Sequence, residues 1–338
     1  MPRFQELDAL PQGLLDCSAE NLLELLGGPT LIHVQGNREP ALFVSVLLHG
    51  NEVSGWNGLR RLLREAPIPS RSLSVFIGNV AAAAQGVRAL PDQQDYNRIW
   101  RNAAGAEGEM ARQVAAALSQ RTLLAAVDLH NNTGHNPHYS VLTDLSPNNL
   151  GFAYLFSDKV VYVQEPDTVL AHIFQGQCPA VTLELGAVAD PECDDRAYDY
   201  LQRCLELDQA PIATLEELSL FRTQARIHIR DGVQFSFADE PQATPLVLTA
   251  GVEGVNFHEL PIGSVFGNTQ RAISEVLQVL DDHHQDVTDQ YFTLDDQDIV
   301  LKRAVTPAMY TMDPFVVRQD CLCYLMQRIS PNGDPLRH

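Results

Sequence analysis

Basic side chains are scarce: 23 Lys and Arg stand against 43 Asp and Glu, a formal net charge of −20. That balance argues against nucleic acid as the main partner, because phosphate binding needs a basic face. It argues equally against docking on anionic membranes. An anionic small substrate stays open, since a few arginines in a cleft set a local field of opposite sign. Apolar runs are short. None approaches the roughly 20 residues of a membrane span, and the longest near the start, 41–48, has strand length and is broken by Ser45. The opening MPRFQELDALPQGLLDCSAENLLELL has no basic head and no continuous apolar core, so no signal peptide is expected. Six scattered cysteines include no CxxC pair, which excludes a zinc ribbon and suits reduced thiols in a cytoplasm. Cys321 and Cys323 alternate as on one face of a strand. Neither G-x-S-x-G nor a P-loop nor G-x-G-x-x-G occurs, which disfavours serine hydrolases and nucleotide enzymes.

What is present is a globular chain of 338 residues, 45% apolar and 20% charged, long enough for two domains of about 150 residues each. Strand-like and helix-like segments alternate through the first two-thirds. Runs 41–48, 72–78, 123–129, 159–163 and 180–185 read as strands. Segments 53–65, 107–119, 170–175 and 196–207 read as helices. Near-continuous apolar strands between helices imply a sheet covered on both faces, hence an α/β domain over 1–220. From 221 to 338 short strands at 226–230, 233–237, 245–249, 263–266 and 298–302, separated by Gly, Pro and Asp, imply a smaller, mostly β domain. Segments 268–280 and 213–220 are predicted helical.

The sharpest chemical feature is His49-Gly50-Asn51-Glu52, the one H-x-x-E in the chain. It follows a buried strand and precedes a helix, where sites of open α/β sheets gather. A lone histidine there is usually a satisfied core or surface residue, so the case rests on partners. His130, in Asp128-Leu129-His130-Asn131-Asn132, ends another strand. Two histidines and a glutamate from two strand ends make the ligand set of a catalytic zinc with a fourth position left open. A carboxylate is still needed to move the proton. Glu184 ends a third buried strand, where a charge must be paired or functional. Asp128 is a weaker candidate for orienting a ligand histidine, on the reasoning that strand neighbours point to opposite faces. His135 and His138 are read as loop residues rather than ligands. In Asp95-Tyr96-Asn97-Arg98-Ile99-Trp100, with Arg88 upstream, an Asn-Arg pair suits a carboxylate, because the guanidinium is a rigid fork.

HGNE, DYNRIW, DLHNNTG and TLELG, in this order over residues 49–186, resemble the succinylglutamate desuccinylase/aspartoacylase family, a branch of the zinc carboxypeptidase-like superfamily. The stretch from Glu165 to Gly186 is also similar. The resemblance implies a mixed sheet covered by helices, followed by a mostly β domain that partly covers the site. It implies one Zn²⁺ per chain on His49, Glu52 and His130, and Asn97 and Arg98 on the substrate carboxylate. Arg88 would stabilise the oxyanion, and Glu184 would act as general base and then acid. The implied reaction is hydrolysis of an N-acyl amino acid, a small-molecule substrate. Three positions depart from the pattern. Phe174 stands where aspartoacylases carry an arginine, DLHNNTGHNPH replaces the DLHTA of desuccinylases, and Tyr96 replaces Leu or Met. Residues 138–142 are a candidate acyl-pocket lining. The competing readings are a zinc carboxypeptidase acting on short peptides and a non-catalytic binding homologue.

Overall fold

Strands buried on both faces can be apolar throughout, whereas half-exposed strands must alternate. Ala41–Val46 and Leu123–Asn132 are buried at every residue, and they lead to the candidate site. The computed structural model describes residues 4–164, 166–238, 243–319 and 321–330. They fall into two units. One runs to Asn131 and resumes over His138–Ser219; the other takes Asn132–Pro137 and the described residues from Leu220 onward.

The first unit holds strands β1 (Gln5–Leu7), β2 (Thr30–Val34), β3 (Ala41–Val46), β4 (Leu73–Ile77), β5 (Leu123–Asn132), β6 (Tyr139–Leu142), β7 (Lys159–Tyr162) and β8 (Ala180–Ala187). They lie in the order β1-β2-β4-β3-β5-β8-β6-β7. β3 runs parallel to both β4 and β5, while β2 is antiparallel to β4 and β6 to β8, so the sheet is mixed. Every residue of β2, β3, β4 and β5 is buried. Alternation assigns the two faces. A Cβ added to Gly55 would meet Val46 and Leu129, so helix Ser54–Glu65 covers that face. Helix Gly105–Ser119 packs through Met110, Val114 and Leu118 into a cluster with Phe43 and Ala126, which face the other way. Asp128 and His130 share the face of Ala126.

Helix Ser54–Glu65 buries Trp56, Leu59, Leu62 and Leu63 at helical spacing. Its other neighbour is helix Glu192–Glu206, whose last carbonyls are held by cations and a hydroxyl. Arg38 Nη2 donates to Leu205 O at 2.7 Å, Ser70 Oγ to the same oxygen at 3.0 Å, and Arg71 Nη2 to Leu207 O at 2.5 Å. Positive charge belongs at a helix C-terminus, and it offsets the cost of burying Arg71, which is 1% exposed.

In the second unit β9 (Ser219–Ile229) pairs antiparallel with β13 (Leu277–Asp281) and with β17 (Cys323–Arg328), which pairs with β16 (Thr306–Ala308). A separate sheet contains β10 (Phe235–Phe237), β11 (Leu246–Leu248), β12 (Val265–Asn268), β15 (Asp298–Leu301) and β14 (Phe292–Asp295) in that order. Ile227, Val279, Leu325, Phe266 and Tyr310 share one core.

The predicted helix over 268–280 is corrected. Only Ile273–Val276 is helical, and Leu277 and Val279 alternate into the core from β13. Apolar residues at 273, 276, 277 and 280 satisfy helical spacing too, and pairing with β9 decides for the strand. The predicted helix over 213–220 is also corrected. A single 3-10 turn, Leu215–Glu217, is closed by a Thr214–Glu217 capping box, and Ser219 already begins β9. Segment 170–175 likewise forms a 3-10 turn, Leu170–Phe174.

Helix Ser54–Glu65 meets helix Glu192–Glu206 at Gly58, where an added Cβ would lie 2.6 Å from Ala197 Cβ and 2.8 Å from Asp194 O and Tyr198 N. Alanine gains about 1 kcal/mol of helix propensity over glycine. Forcing two backbones apart costs about 1–3 kcal/mol. Gly58→Ala should therefore lower the denaturant midpoint, and a rise would mean that the helices separate freely.

Candidate metal centre

The turn after β3 brings His49 and Glu52 to the sheet edge. Leu47 adopts a φ of 58° while fully buried, a conformation uncommon for leucine that local packing must hold. Gly50 admits no side chain, since a Cβ would lie 2.2 Å from Ala83 N and 2.4 Å from Ala82 C. Its N–H donates to Arg88 O at 3.0 Å, and Glu52 N–H donates to His49 O at 3.1 Å. The turn is thus fixed before helix Ser54–Glu65 begins. The third candidate, His130, lies inside β5, which is three residues longer than the predicted 123–129.

His49, Glu52 and His130 are 3%, 6% and 3% exposed, and one ligand atom from each falls within 4.8 Å of the others. Glu52 sits between the rings: His49 Nδ1 is 2.8 Å from Oε1 and His130 Nδ1 is 2.8 Å from Oε2. The far nitrogens are also held. His49 Nε2 is 3.0 Å from Asp95 Oδ1, and His130 Nε2 is 2.9 Å from Asp128 Oδ2. A carboxylate behind each ring fixes its orientation and the nitrogen it presents. Two imidazole nitrogens and one carboxylate, converging and braced in this way, fit a zinc-type ion that keeps an open coordination position.

Electrostatics agree with the donor set. Burial alone would raise the pKa of Glu52, but the charges of His49 and His130 and their hydrogen bonds hold it well below the carboxylate range. Burial would depress His130, and Asp128 and Glu52 instead raise it well above the usual histidine value. At Asp95 burial is again outweighed, here by His49, Arg88 and Arg98, and the carboxyl stays far down. Glu184 behaves oppositely. It stands on β8 opposite Tyr139 of β6, its Oε2 is buried with no hydrogen-bond partner among the described residues, and burial pushes its pKa up to about 8. It feels the charges of His130, Glu52, Arg88 and Asp128, so it belongs to the same neighbourhood.

Arg88 donates from Nη2 to Asp95 Oδ2 at 3.0 Å and lies 3.5 Å from Glu52 Oε1 through Nη1. Asn97 accepts from Leu170 N–H at 3.3 Å through Oδ1, which directs its NH₂ elsewhere. Arg98 is half-buried and donates to Asn97 O at 2.9 Å. Asp128 corrects the sequence reasoning: it lies two positions from His130, not one, so strand alternation puts both on one face. His138 packs edge-on against Phe156 at 5.3 Å and His135 is exposed in the second unit. Neither joins the ligand group. Glu165 lies outside the described residues.

Two contributors went unassigned in the sequence. Asp95 had no role, although it sits in the quoted DYNRIW motif. Asn131 donates its N–H to Glu52 Oε2 at 3.3 Å, while its carboxamide donates to Ser54 Oγ and Gly186 O, both at 3.2 Å. It thereby ties β5 to the helix start and to β8.

A covered mixed sheet with this group at its strand ends defines a zinc carboxypeptidase-like fold. The chain belongs to the succinylglutamate desuccinylase/aspartoacylase family, whose catalytic-domain profile matches residues 38–206. No curated protein matches by sequence. Among solved structures, the chain is similar to a succinylglutamate desuccinylase/aspartoacylase from Rhodobacter sphaeroides, at 13% identity and TM-score 0.58 with 88% of each chain covered. It is similar to murine aminoacylase 3 at 17% identity and TM-score 0.54, covering 86% of this chain and 97% of that one. It is similar also to a succinylglutamate desuccinylase from Chromobacterium violaceum, at 21% identity and TM-score 0.50, covering 68% and 76%.

The raised pKa of Glu184 has a sign in stability. A carboxyl with pKa about 8 when folded, against roughly 4.3 unfolded, stabilises below the unfolded value and loses that contribution as pH rises through 8. Metal-free Glu184→Gln should therefore lose less melting temperature than the parent between pH 5 and pH 8.5. An identical loss in both proteins would place the charge of Glu184 in water.

Proposed function

We propose that the protein is a zinc-dependent amidohydrolase that cleaves an N-acyl amino acid into amino acid and carboxylate. One observation carries the reading. His49, Glu52 and His130 converge, with carboxylates behind both rings, beside a glutamate whose buried oxygen has no partner among the described residues.

Zn²⁺ held by these three residues supplies Lewis acidity and activates water near neutral pH. The chain's own groups do the rest. Arg98 and the carboxamide NH₂ of Asn97 bind the carboxylate of the amino acid moiety, which turns the scissile amide toward the ligand group. Arg88, held beside Glu52 by its bond to Asp95, stabilises the oxyanion. Glu184 takes the proton of the attacking water and returns it to the leaving amine. Its pKa of about 8 without a cation falls when positive charge binds nearby, into the range of a base at neutral pH.

The acyl group is constrained by one departure from the family. Phe174 is 1% exposed and packs on Phe43 at 5.0 Å between ring centroids, so this position supplies no cation to a second carboxylate. That weighs against N-acetylaspartate.

Release of free amino acid from a panel of N-acyl amino acids, with blocked dipeptides and longer peptides alongside, tests the proposal. Turnover of an N-acyl amino acid with peptides inert is the expected result. Activity that rises with peptide length would instead make the protein a carboxypeptidase. Glu184→Gln should retain zinc and lose about 10²-fold or more in kcat. His49→Ala should lose the metal itself, and equal zinc content in mutant and parent would refute its role as ligand.

A further inference from the structure

The two carboxylates behind the histidines are not equivalent. Asp128 accepts from His130 through Oδ2 alone, and its Oδ1 is buried without a partner among the described residues. Asp95 divides its oxygens between two tasks. Oδ1 takes both His49 Nε2 at 3.0 Å and the Asn97 N–H at 2.7 Å, while Oδ2 takes Arg88 Nη2 at 3.0 Å. One side chain thus touches a metal-ligand candidate, the backbone of the Asn97–Arg98 pair and the candidate oxyanion arginine.

We infer that Asp95 is a positioning residue that couples cation binding at His49 to the geometry of the substrate-holding segment 95–98 and Arg88. The inference rests on the metal-dependent reading above and adds to it an energetic link between two binding events.

The link has a physical basis. A histidine that ligates a cation through one nitrogen becomes a stronger donor at the other, which is why metal-bound histidines are backed by carboxylates. The bond from His49 Nε2 to Asp95 Oδ1 then tightens. The Asn97 N–H shares that same oxygen, and the Arg88 guanidinium is fixed by its companion. The segment has little freedom to relax otherwise. Arg98 N–H is held by Asp95 O at 2.8 Å, Asn97 Oδ1 by Leu170 N–H at 3.3 Å, and Arg88 O by Gly50 N–H at 3.0 Å. Coupling is reciprocal, so an anion seated on Arg88 and Arg98 also tightens the metal. Among the described residues Asp128 has no such second attachment, so it braces His130 alone.

The test is amide hydrogen exchange over residues 88–100, with and without saturating zinc, in the parent, Asp95→Asn and Asp128→Asn. Zinc uptake is measured by equilibrium dialysis on the same samples. Both variants should bind zinc about 10–100-fold more weakly. At saturation zinc should slow exchange of this segment about tenfold in the parent and in Asp128→Asn, and less than about twofold in Asp95→Asn. Each protein is compared with its own zinc-free form, so a general loosening cancels. Should Asp95→Asn not fold, Asp95→Ser takes its place. Zinc-dependent protection that survives in the Asp95 variant, or that is lost in both variants or missing from the parent, overturns the coupling. Zinc uptake and coupling without amide hydrolysis would instead overturn the catalytic reading alone.

Discussion

The constraint on which the site depends is the burial of one carboxylate, Glu52, between two histidine rings. A lone ionised carboxylate at 6% exposure would carry a desolvation penalty of several kcal/mol. Two Nδ1 atoms at 2.8 Å and the Asn131 N–H at 3.3 Å offset it. Each ring is in turn held by a carboxylate, Asp95 behind His49 and Asp128 behind His130, so the penalty passes outward to two further carboxylates. Asp95 is relieved by Arg88 and by partial access to water. Asp128 is only half relieved, with one oxygen unpartnered among the described residues. The arrangement holds a surplus of negative charge around a small volume, and a divalent cation is the species that balances it.

Topology explains why residues so far apart in sequence share that volume. Glu52 and His130 are 78 positions apart. β3 and β5 are parallel neighbours with Ser45 opposite Asp128, so both strands end at one edge of the sheet, where ligands of α/β proteins collect. β8 lies next to β5, and the Asn131 carboxamide fastens the two near their ends. Burial of β3, β4 and β5 on both faces makes this registration firm, because a slip of one residue would exchange the Phe43 face for the Val46 face.

These same features were legible in the sequence because they are local. A near-continuous apolar run bounded by His-Gly-Asn-Glu announces a strand end with polar cargo. Asp128 was legible but misjudged: adjacency was weighed where the relevant spacing was two. The role of Asp95 was hidden because a carboxylate in a polar loop shows no contrast with its surroundings, and its importance lies in contacts 46 residues away. The segment 268–280 was misread because its apolar spacing satisfies both periods. A long-range pairing, that of β13 with β9, decides between them, and no local pattern contains it.

Position 174 is given over to packing, with Phe174 1% exposed. The side chain lies in the cluster formed by Phe43, Ala126 and Leu170, on the face of the sheet that also carries Asp128 and His130. A cation at that position would need a partner in an apolar cluster, whereas phenylalanine adds packing under β5 and so supports the strand that presents His130. The Asn97–Arg98 pair is held by the Asp95 carboxylate and by the N–H of Leu170, which belongs to the same 3-10 turn as Phe174. The turn that buries Phe174 thus also fastens the Asn97–Arg98 pair, so one element braces both the strand of His130 and the loop of Arg98.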